Sequence, residues 1–441
     1  MKIRWEIEFK KTEIGEIPKD WKIGILRDVV KSLESGNRPK GGKLQHDPNG
    51  VLSIGGENIT WEGELILNDC LRFNEDFYKT LKKGKIECDD ILLVKDGATI
   101  GKLAYIKEIP EGKAMVNEHV FLIKTDERKY NPKFLFYYLF SESGQIQIES
   151  SITGSAQGGL NRGILDIIKI PILDPLEQSH IAQVLSWFGD LIENKKKQNE
   201  ILEKTAMAIF KSWFIDFEPF KDGKFVYNEE LGREIPKGWD VKPIGEIAKL
   251  IKGVSYNTPD ISSEQRGELF ITLNNFLRGG GFKCEYSYYI GEKAKNNHIV
   301  REGDLIIALT DMTPLAQVVG APAIVILPYG YNKGIISLDC AKIQLNDNYL
   351  TFFAYLYLKY TQEENSTFAG GVNVLHLKTN LFLTNKFILF PSSPILQKFH
   401  SIVEPLFQKI ILNQKQIMLL RKIRDTLLPL LVFGKLRVKE V

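Results

Sequence analysis

Three polar, glycine-punctuated loops in the first half of the chain carry the residue types best suited to recognition chemistry. Ser35-Gly-Asn-Arg-Pro-Lys-Gly-Gly-Lys43 combines Asn37, Arg38, Lys40 and Lys43 with flexible glycines. Lys95-Asp-Gly-Ala-Thr99 offers Lys95 and Thr99, and Thr153-Gly-Ser-Ala-Gln-Gly158 offers Ser155 and Gln157, followed by Asn161 and Arg162. The second half has three loops at corresponding places. Lys252-Gly-Val-Ser-Tyr-Asn257 carries Lys252, Ser255, Tyr256 and Asn257; Thr310-Asp-Met-Thr313 carries Thr310 and Thr313; Ala369-Gly-Gly-Val-Asn373 carries Asn373. Lys and Arg neutralise phosphates, and Arg, Asn and Gln can bond bidentately to purine edges in the major groove, so these sets suit duplex DNA. Any one such loop reads equally as a solvated turn; the information lies in their recurrence with different contents.

Sets with the spacing of an active site are missing. Gly97-Ala-Thr-Ile-Gly101-Lys102 is one residue short of a phosphate-binding GxxxxGK, and Leu103 stands where Ser or Thr is required. It reads as a tight turn joining two strands. The six histidines (His46, His119, His180, His298, His376, His400) lie far apart, with no HExxH or HxH spacing for a metal. There is no GxSxG elbow and no GxGxxG after a strand. Asn131-Pro132-Lys133-Phe134 lacks the second proline of an amino-methyltransferase Asn-Pro-Pro-Tyr motif and reads as a helix start. Cys70, Cys88, Cys284 and Cys340 are scattered without CxxC, as buried thiols of a reducing compartment would be.

Composition sets the frame for these loops. At 441 residues the chain exceeds one ordinary core, and roughly 150 residues per domain gives about three. Hydrophobic residues at 44% and charged residues at 26% describe a folded protein rather than a disordered one. The balance of 58 Lys+Arg against 55 Asp+Glu leaves +3, so any nucleic-acid role must come from local patches. No apolar run approaches the ~18 residues of a membrane span. Met1–Lys10 alternates charge with apolar residues and lacks a signal-peptide core. A cytoplasmic, soluble, multi-domain protein with no membrane partner is expected.

The chain is written twice. Glu16-Ile-Pro-Lys-Asp-Trp21 recurs as Glu234-Ile-Pro-Lys-Gly-Trp239, an offset of 234 − 16 = 218. Asp90 and the apolar run Ile91-Leu-Leu-Val94 recur at Asp304 and Leu305-Ile-Ile-Ala308, and the run ending in Pro175 recurs before Pro391. Two copies are too few for a solenoid, so the reading is a duplicated domain. Each copy begins strand-rich, over about 12–174 and 230–392, with one aromatic helix at Pro132–Ser141 and Tyr349–Tyr360. After Pro175 and Pro394 the period becomes helical, with apolar residues such as Ile181, Leu185, Leu191 and Ile201, then Phe399, Ile402, Leu406 and Ile410. Stripes of about 35 residues would give helices of roughly 50 Å. They pack either on their own domains or, as the lack of any other partner favours, on each other as an antiparallel coiled coil. The fold class is therefore α+β: two strand-rich α/β globular domains in pseudo-two-fold repeat, separated by two long antiparallel coiled-coil helices.

With these residues in view, the sequence resembles the specificity subunits of type I restriction-modification systems. The resemblance rests on the two Glu-Ile-Pro-Lys-x-Trp openings, Asp90-Ile-Leu-Leu-Val-Lys-Asp-Gly-Ala-Thr-Ile-Gly-Lys102, Thr153-Gly-Ser-Ala-Gln157, Ile170-Pro-Ile-Leu-Asp-Pro-Leu-Glu-Gln178 and the helical C-terminus. It covers essentially the whole chain. The second copy departs from the pattern, with Pro394-Ile-Leu-Gln397 for Pro-x-x-Glu-Gln and no Gly-Ser-Ala-Gln word. The resemblance implies a non-catalytic DNA-recognition subunit. Residues 1–175 and 229–392 would be target recognition domains, each reading half of a split, asymmetric site. Residues 176–228 and 393–441 would be helical spacers that fix the gap and dock methyltransferase subunits and, through them, restriction subunits. It implies no cofactor on this chain; S-adenosylmethionine, ATP and magnesium would sit on partner chains. From the residues alone, a non-DNA-binding adaptor with a coiled-coil dimerisation arm is the alternative.

Overall fold

A computed structural model describes residues 2–39, 41, 46–68, 70–154, 158–312 and 315–439. Lys40, Lys43, Ser155, Gln157 and Thr313 lie outside the described residues. The chain forms two compact units: Met1–Asp190 with Arg421–Val441, and Leu191–Leu420. Both boundaries fall inside the long helices, Pro175–Phe214 and Ser393–Val432.

In the first unit the apolar words become a four-stranded antiparallel sheet in the order Val30–Ser35, Val120–Thr125, Ile91–Val94, Leu103–Tyr105. Ile91-Leu-Leu-Val94 is apolar throughout because both faces of the sheet are covered. Ile91 and Leu93 pack with Phe121, Ile123 and Phe134 of the helix Pro132–Phe140. Leu92 and Val94 pack with Leu52, Ile54 and Val116. Successive side chains of a strand point to opposite faces, so a strand buried on both sides shows no period of two. Each such side chain contributes roughly 1.5–3 kcal/mol by leaving water. Leu52, Ile54 and Val116 belong to a second sheet, Ala114–Val116, Val51–Ile54, Leu71–Phe73, whose first pairing is parallel. The aromatic helix starts as its sequence requires. Asn131 accepts the Phe134 N–H at 2.9 Å, and Pro132 occupies the first turn, where no amide donor is needed.

The second unit repeats the plan. Its main sheet runs Ala248–Lys252, Cys340–Leu345, Leu305–Ala308, Pro322–Ile324, antiparallel throughout. Its second sheet again contains one parallel pair, Glu268–Ile271 with Gly334–Ile336. The Glu-Ile-Pro words fall in equivalent hairpins, Phe9–Thr12 with Gly15–Pro18 and Phe225–Asn228 with Arg233–Pro236. The strands that follow, Lys22–Ile25 and Asp240–Pro243, pair with Lys169–Ile172 and Phe387–Phe390. The apolar run over 323–327 is shorter as a strand than its sequence reads, Pro322–Ile324. The second aromatic helix is Thr351–Tyr360, preceded by a single 3-10 turn, Asn348–Leu350.

Both long helices have 40 residues, about 60 Å each at 1.5 Å per residue. They run antiparallel. Within the second unit Phe214 meets Phe399, Asn199 meets Asn413 and Lys195 meets Gln416, so residues falling along one helix meet residues rising along the other. Within the first unit Ile181, Ala182 and Leu185 share a core with Leu428, Leu431 and Val432. The seam keeps Ile181, Leu185 and Phe399 of the periodicity read in the sequence and departs from it elsewhere. Leu191, Ile201 and Ile402 are exposed, whereas Ala206, Phe210, Leu396, Val403 and Phe407 are buried. The cause is a second packing partner: Phe210 also meets Phe353 and Tyr357 of the aromatic helix, which turns the buried face toward the domain.

Candidate nucleic-acid interface

The first predicted loop leaves the strand Val30–Ser35 by crossing another backbone. Gly36 N–H donates to the Asn117 carbonyl at 3.2 Å, and a Cβ at Gly36 would lie 1.5 Å from the Val116 carbonyl oxygen. Gly253 repeats the crossing, with a Cβ position 2.1 Å from the Ile336 oxygen. These glycines serve close approach rather than the flexibility read from the sequence. Beyond Gly36, Asn37 and Arg38 line a groove with Lys82, Lys83, Glu118 and Arg162. Lys82, Lys83 and Arg162 are exposed. The turn that carries the two lysines is held in place where Gly84 N–H donates to Glu34 Oε2 at 2.8 Å.

A chain of charged contacts ties this loop to the next. Arg38 Nε lies 2.6 Å from Glu118 Oε1, which lies 3.2 Å from His119 Nε2. His119 Nδ1 lies 2.5 Å from Asp96 Oδ1, and Lys95 Nζ is 3.0 Å from Asp96 Oδ2. The buried Asn117 side chain accepts the His119 N–H at 2.9 Å and so shapes the turn that presents Glu118 and His119. Lys95 extends the connection through its backbone: its N–H donates to the His119 carbonyl at 3.0 Å, and its carbonyl accepts from Leu160 N–H at 2.7 Å. Isolated bridges join Asp96 and Thr153 to Gly159, and Asn161 Nδ2 donates to Thr153 Oγ1 at 3.2 Å. The structure thus gathers Asn37, Arg38, Lys95, Asn161 and Arg162. Thr99 stands apart, its hydroxyl toward Gly56. Lys82, Lys83, Asp96, Glu118 and His119 were not foreseen. They stand outside the repeated loop words or, for Asp96, inside one as its lone acid, and only the fold makes them neighbours.

The second unit assembles its loops the same way with different chemistry. Thr310–Asp311 pairs with Leu375–Leu377, which pairs with Ala369–Gly370, and the exposed turn between these last two strands carries Asn373. Tyr256 and Thr310 are joined through Asp339, their hydroxyls donating to Oδ2 and Oδ1 at 3.2 Å each. Burial, then the Asp339 charge, pushes the Tyr256 phenol up to about 12, so it stays a neutral donor. Thr310 is buried, and its hydroxyl serves the loop. Lys252, Ser255 and Asn257 are exposed. With Gly36 and Gly253 equated, Ser255 stands where Arg38 stands. Among the described residues, no helix is long and apolar enough to cross a membrane.

The model of the family described as Type I restriction modification DNA specificity domain matches twice, over 18–204 and 236–421. Those starts are 236 − 18 = 218 residues apart, the same step as Glu16 to Glu234. The chain is 36% identical over 454 residues to the type I restriction enzyme MjaIX specificity subunit of Methanocaldococcus jannaschii, covering 100% of this chain and 99% of that one. It is 24% identical over 423 residues to the HindI specificity subunit of Haemophilus influenzae, covering 81% and 88%. The crystal structure of a type I restriction-modification S subunit from M. genitalium shares the fold, with a TM-score of 0.55 at 18% identity over 96% of this chain and 97% of that one. One mixed domain written twice, each copy followed by a 40-residue helix, defines the class of type I specificity subunits. The chain belongs to the type I restriction modification DNA specificity family.

Proposed function

We propose that this chain is the non-catalytic DNA-reading subunit of a type I restriction-modification complex, with each unit's loop cluster reading one half of a split, asymmetric site. The observation that carries the reading is the groove in which Arg38, Lys82, Lys83 and Arg162 converge from three separate stretches around a single carboxylate, Glu118. A net charge of only +3 makes such a concentration of cations stand out, and it suits the phosphate backbone. The unlike polar sets of the two units suit unlike half-sites, and two modest specificities on one chain multiply. The long helices act as the spacer that sets the gap, and their outer faces dock the methyltransferase subunits and, through that core, the restriction subunits. S-adenosylmethionine, ATP and magnesium belong to those partners, and the complex works in the cytoplasm.

The test is the salt dependence of duplex binding by the full chain, alone and with its methyltransferase partner. A logarithmic slope of about −0.9 per phosphate contacted is expected. Binding indifferent to salt, or absent even with the partner present, overturns the reading.

A further inference from the structure

The pairing of Arg38 with Glu118 says more than that a cation is available. An arginine can meet the O6 and N7 acceptors of guanine in the major groove with two parallel N–H groups, provided its planar fork is held at a fixed angle. Glu118 Oε1 lies 2.6 Å from Arg38 Nε, which occupies one side of the fork and leaves the Nη1/Nη2 edge unclaimed by that contact. Glu118 is itself held. His119 stands against it on one side, Asp96 stands behind His119, and the Asn117 side chain fixes the backbone between them. The Arg38 side chain is 36% exposed, so it is steadied by Glu118 and still open to an approaching ligand.

Backbone contacts need no such support. Lys82 and Lys83, exposed on the turn across the groove, have the flexible, compact charge that suits phosphates, and a buttressed guanidinium suits a base edge. Resting on the DNA-reading role proposed above, we infer that Arg38 recognises a guanine in the half-site of the first unit, end-on through its Nη pair. Glu118, His119 and Asp96 are its positioning residues. The second unit has Ser255 at this place and a Tyr256–Asp339–Thr310 cluster with no cation in it beside it, so the device belongs to one half-site only.

The test is selection of bound sequences from a random duplex pool by the full chain in complex with its methyltransferase subunits. Wild type enriches a split motif. Arg38→Ala should lose the preference for a G·C pair at one position of one half-site, by roughly 5- to 150-fold, the range of a bidentate arginine–guanine contact. The other half-site should be unchanged. Glu118→Gln should weaken the preference at that same position, and Lys82→Ala should lower binding to all sequences alike. A duplex carrying 7-deazaguanine at the position, which lacks the N7 acceptor but keeps O6, should weaken binding by wild type and leave binding by Arg38→Ala unchanged. If Arg38→Ala lowers affinity evenly and keeps every base preference, Arg38 is a phosphate contact and this inference fails while DNA reading stands. If wild type enriches nothing, both fail together.

Discussion

Asp90 and Lys124 form an ion pair of 2.9 Å across neighbouring strands of the first unit, and Asp304 and Lys342 form the same pair at 2.7 Å in the second. Each aspartate also accepts an amide N–H from the residue three before it, Glu87 or Arg301, at 2.7 Å. The duplication therefore extends from words to contacts. Each aspartate precedes a central strand of its sheet, and each lysine sits on the neighbouring strand, beside the Ile91–Ile123 pair in the first unit and opposite Ile306 in the second, so the pair ties the same two strands together twice.

Asp90 makes that tie sensitive to pH. Burial pushes its carboxyl up to about 6, against the pull of Lys124 and the Glu87 amide. The folded state then holds the proton more tightly than the unfolded chain, whose carboxyl titrates at about 3.9. Asp90's contribution to stability is fully present below about pH 4 and is lost as pH rises through about 6. Calorimetric melts of the full chain across that range should show Asp90→Asn flattening a decline that wild type displays in the first unit. Parallel curves for the two proteins would assign the titration elsewhere.

The same pair shows what could be read in the sequence and what could not. Asp90 and Asp304 were aligned from the apolar strand that follows each, because a strand buried on both faces leaves an unbroken Ile/Leu/Val run. Their lysines were not, since they lie 34 and 38 residues away with nothing in the spacing to join them. The helices were legible from their period, and so were Ile181, Leu185 and Phe399 on their buried faces, but Ile201 and Ile402 fall off the seam where Phe210 and Phe399 answer to a domain as well as to each other. The loops that carry Arg38 and Lys95 were legible as polar repeats. The groove was not, because Lys82, Lys83 and Glu118 reach it only through a backbone crossing that Gly36 permits.

Arg437 closes the first unit. It is 1% exposed and donates to Glu177, to Asp20 at 2.9 Å and to Glu6 at 2.8 Å, with its guanidinium over the Trp21 ring. Glu177 is buried as well, so Arg437→Ala leaves a buried carboxylate without its cation. Loss of one partner of a buried pair costs about 3–5 kcal/mol. Urea unfolding of the full chain should show that loss in the transition of the first unit, with DNA-loop substitutions such as Lys82→Ala leaving it unchanged. A cost below about 1 kcal/mol, the value of an exposed pair, would show that the cluster is solvated.

Asn199 and Asn413 form a polar pair inside the helix seam of the second unit, Nδ2 to Oδ1 2.9 Å, and Asn413 also reaches Gln198 Oε1 at 3.2 Å. A buried amide pair in an otherwise apolar seam specifies register at a cost in stability. Asn413→Leu alone leaves the Asn199 amide buried without its partner and should cost about 1–3 kcal/mol. The double replacement by leucine should recover most of that loss, which a double-mutant cycle in urea will read as coupling. Additive losses would mean that the two amides act independently.

The two lysines of the groove give the cleanest contrast with Arg38. Lys82 and Lys83 are exposed, so their removal should leave the thermal midpoint within experimental scatter. If they contact phosphates, Lys82→Ala and Lys83→Ala should each weaken binding to specific and random duplexes by the same factor. Each should also make the logarithmic salt slope shallower by about one unit, the signature of one fewer released counterion. A loss confined to one sequence would make them base readers, and an unchanged slope would place the backbone path elsewhere on the first unit. Because the two substitutions share a turn but not a partner, their effects on the slope should add, which separates two phosphate contacts from one contact that either lysine can make.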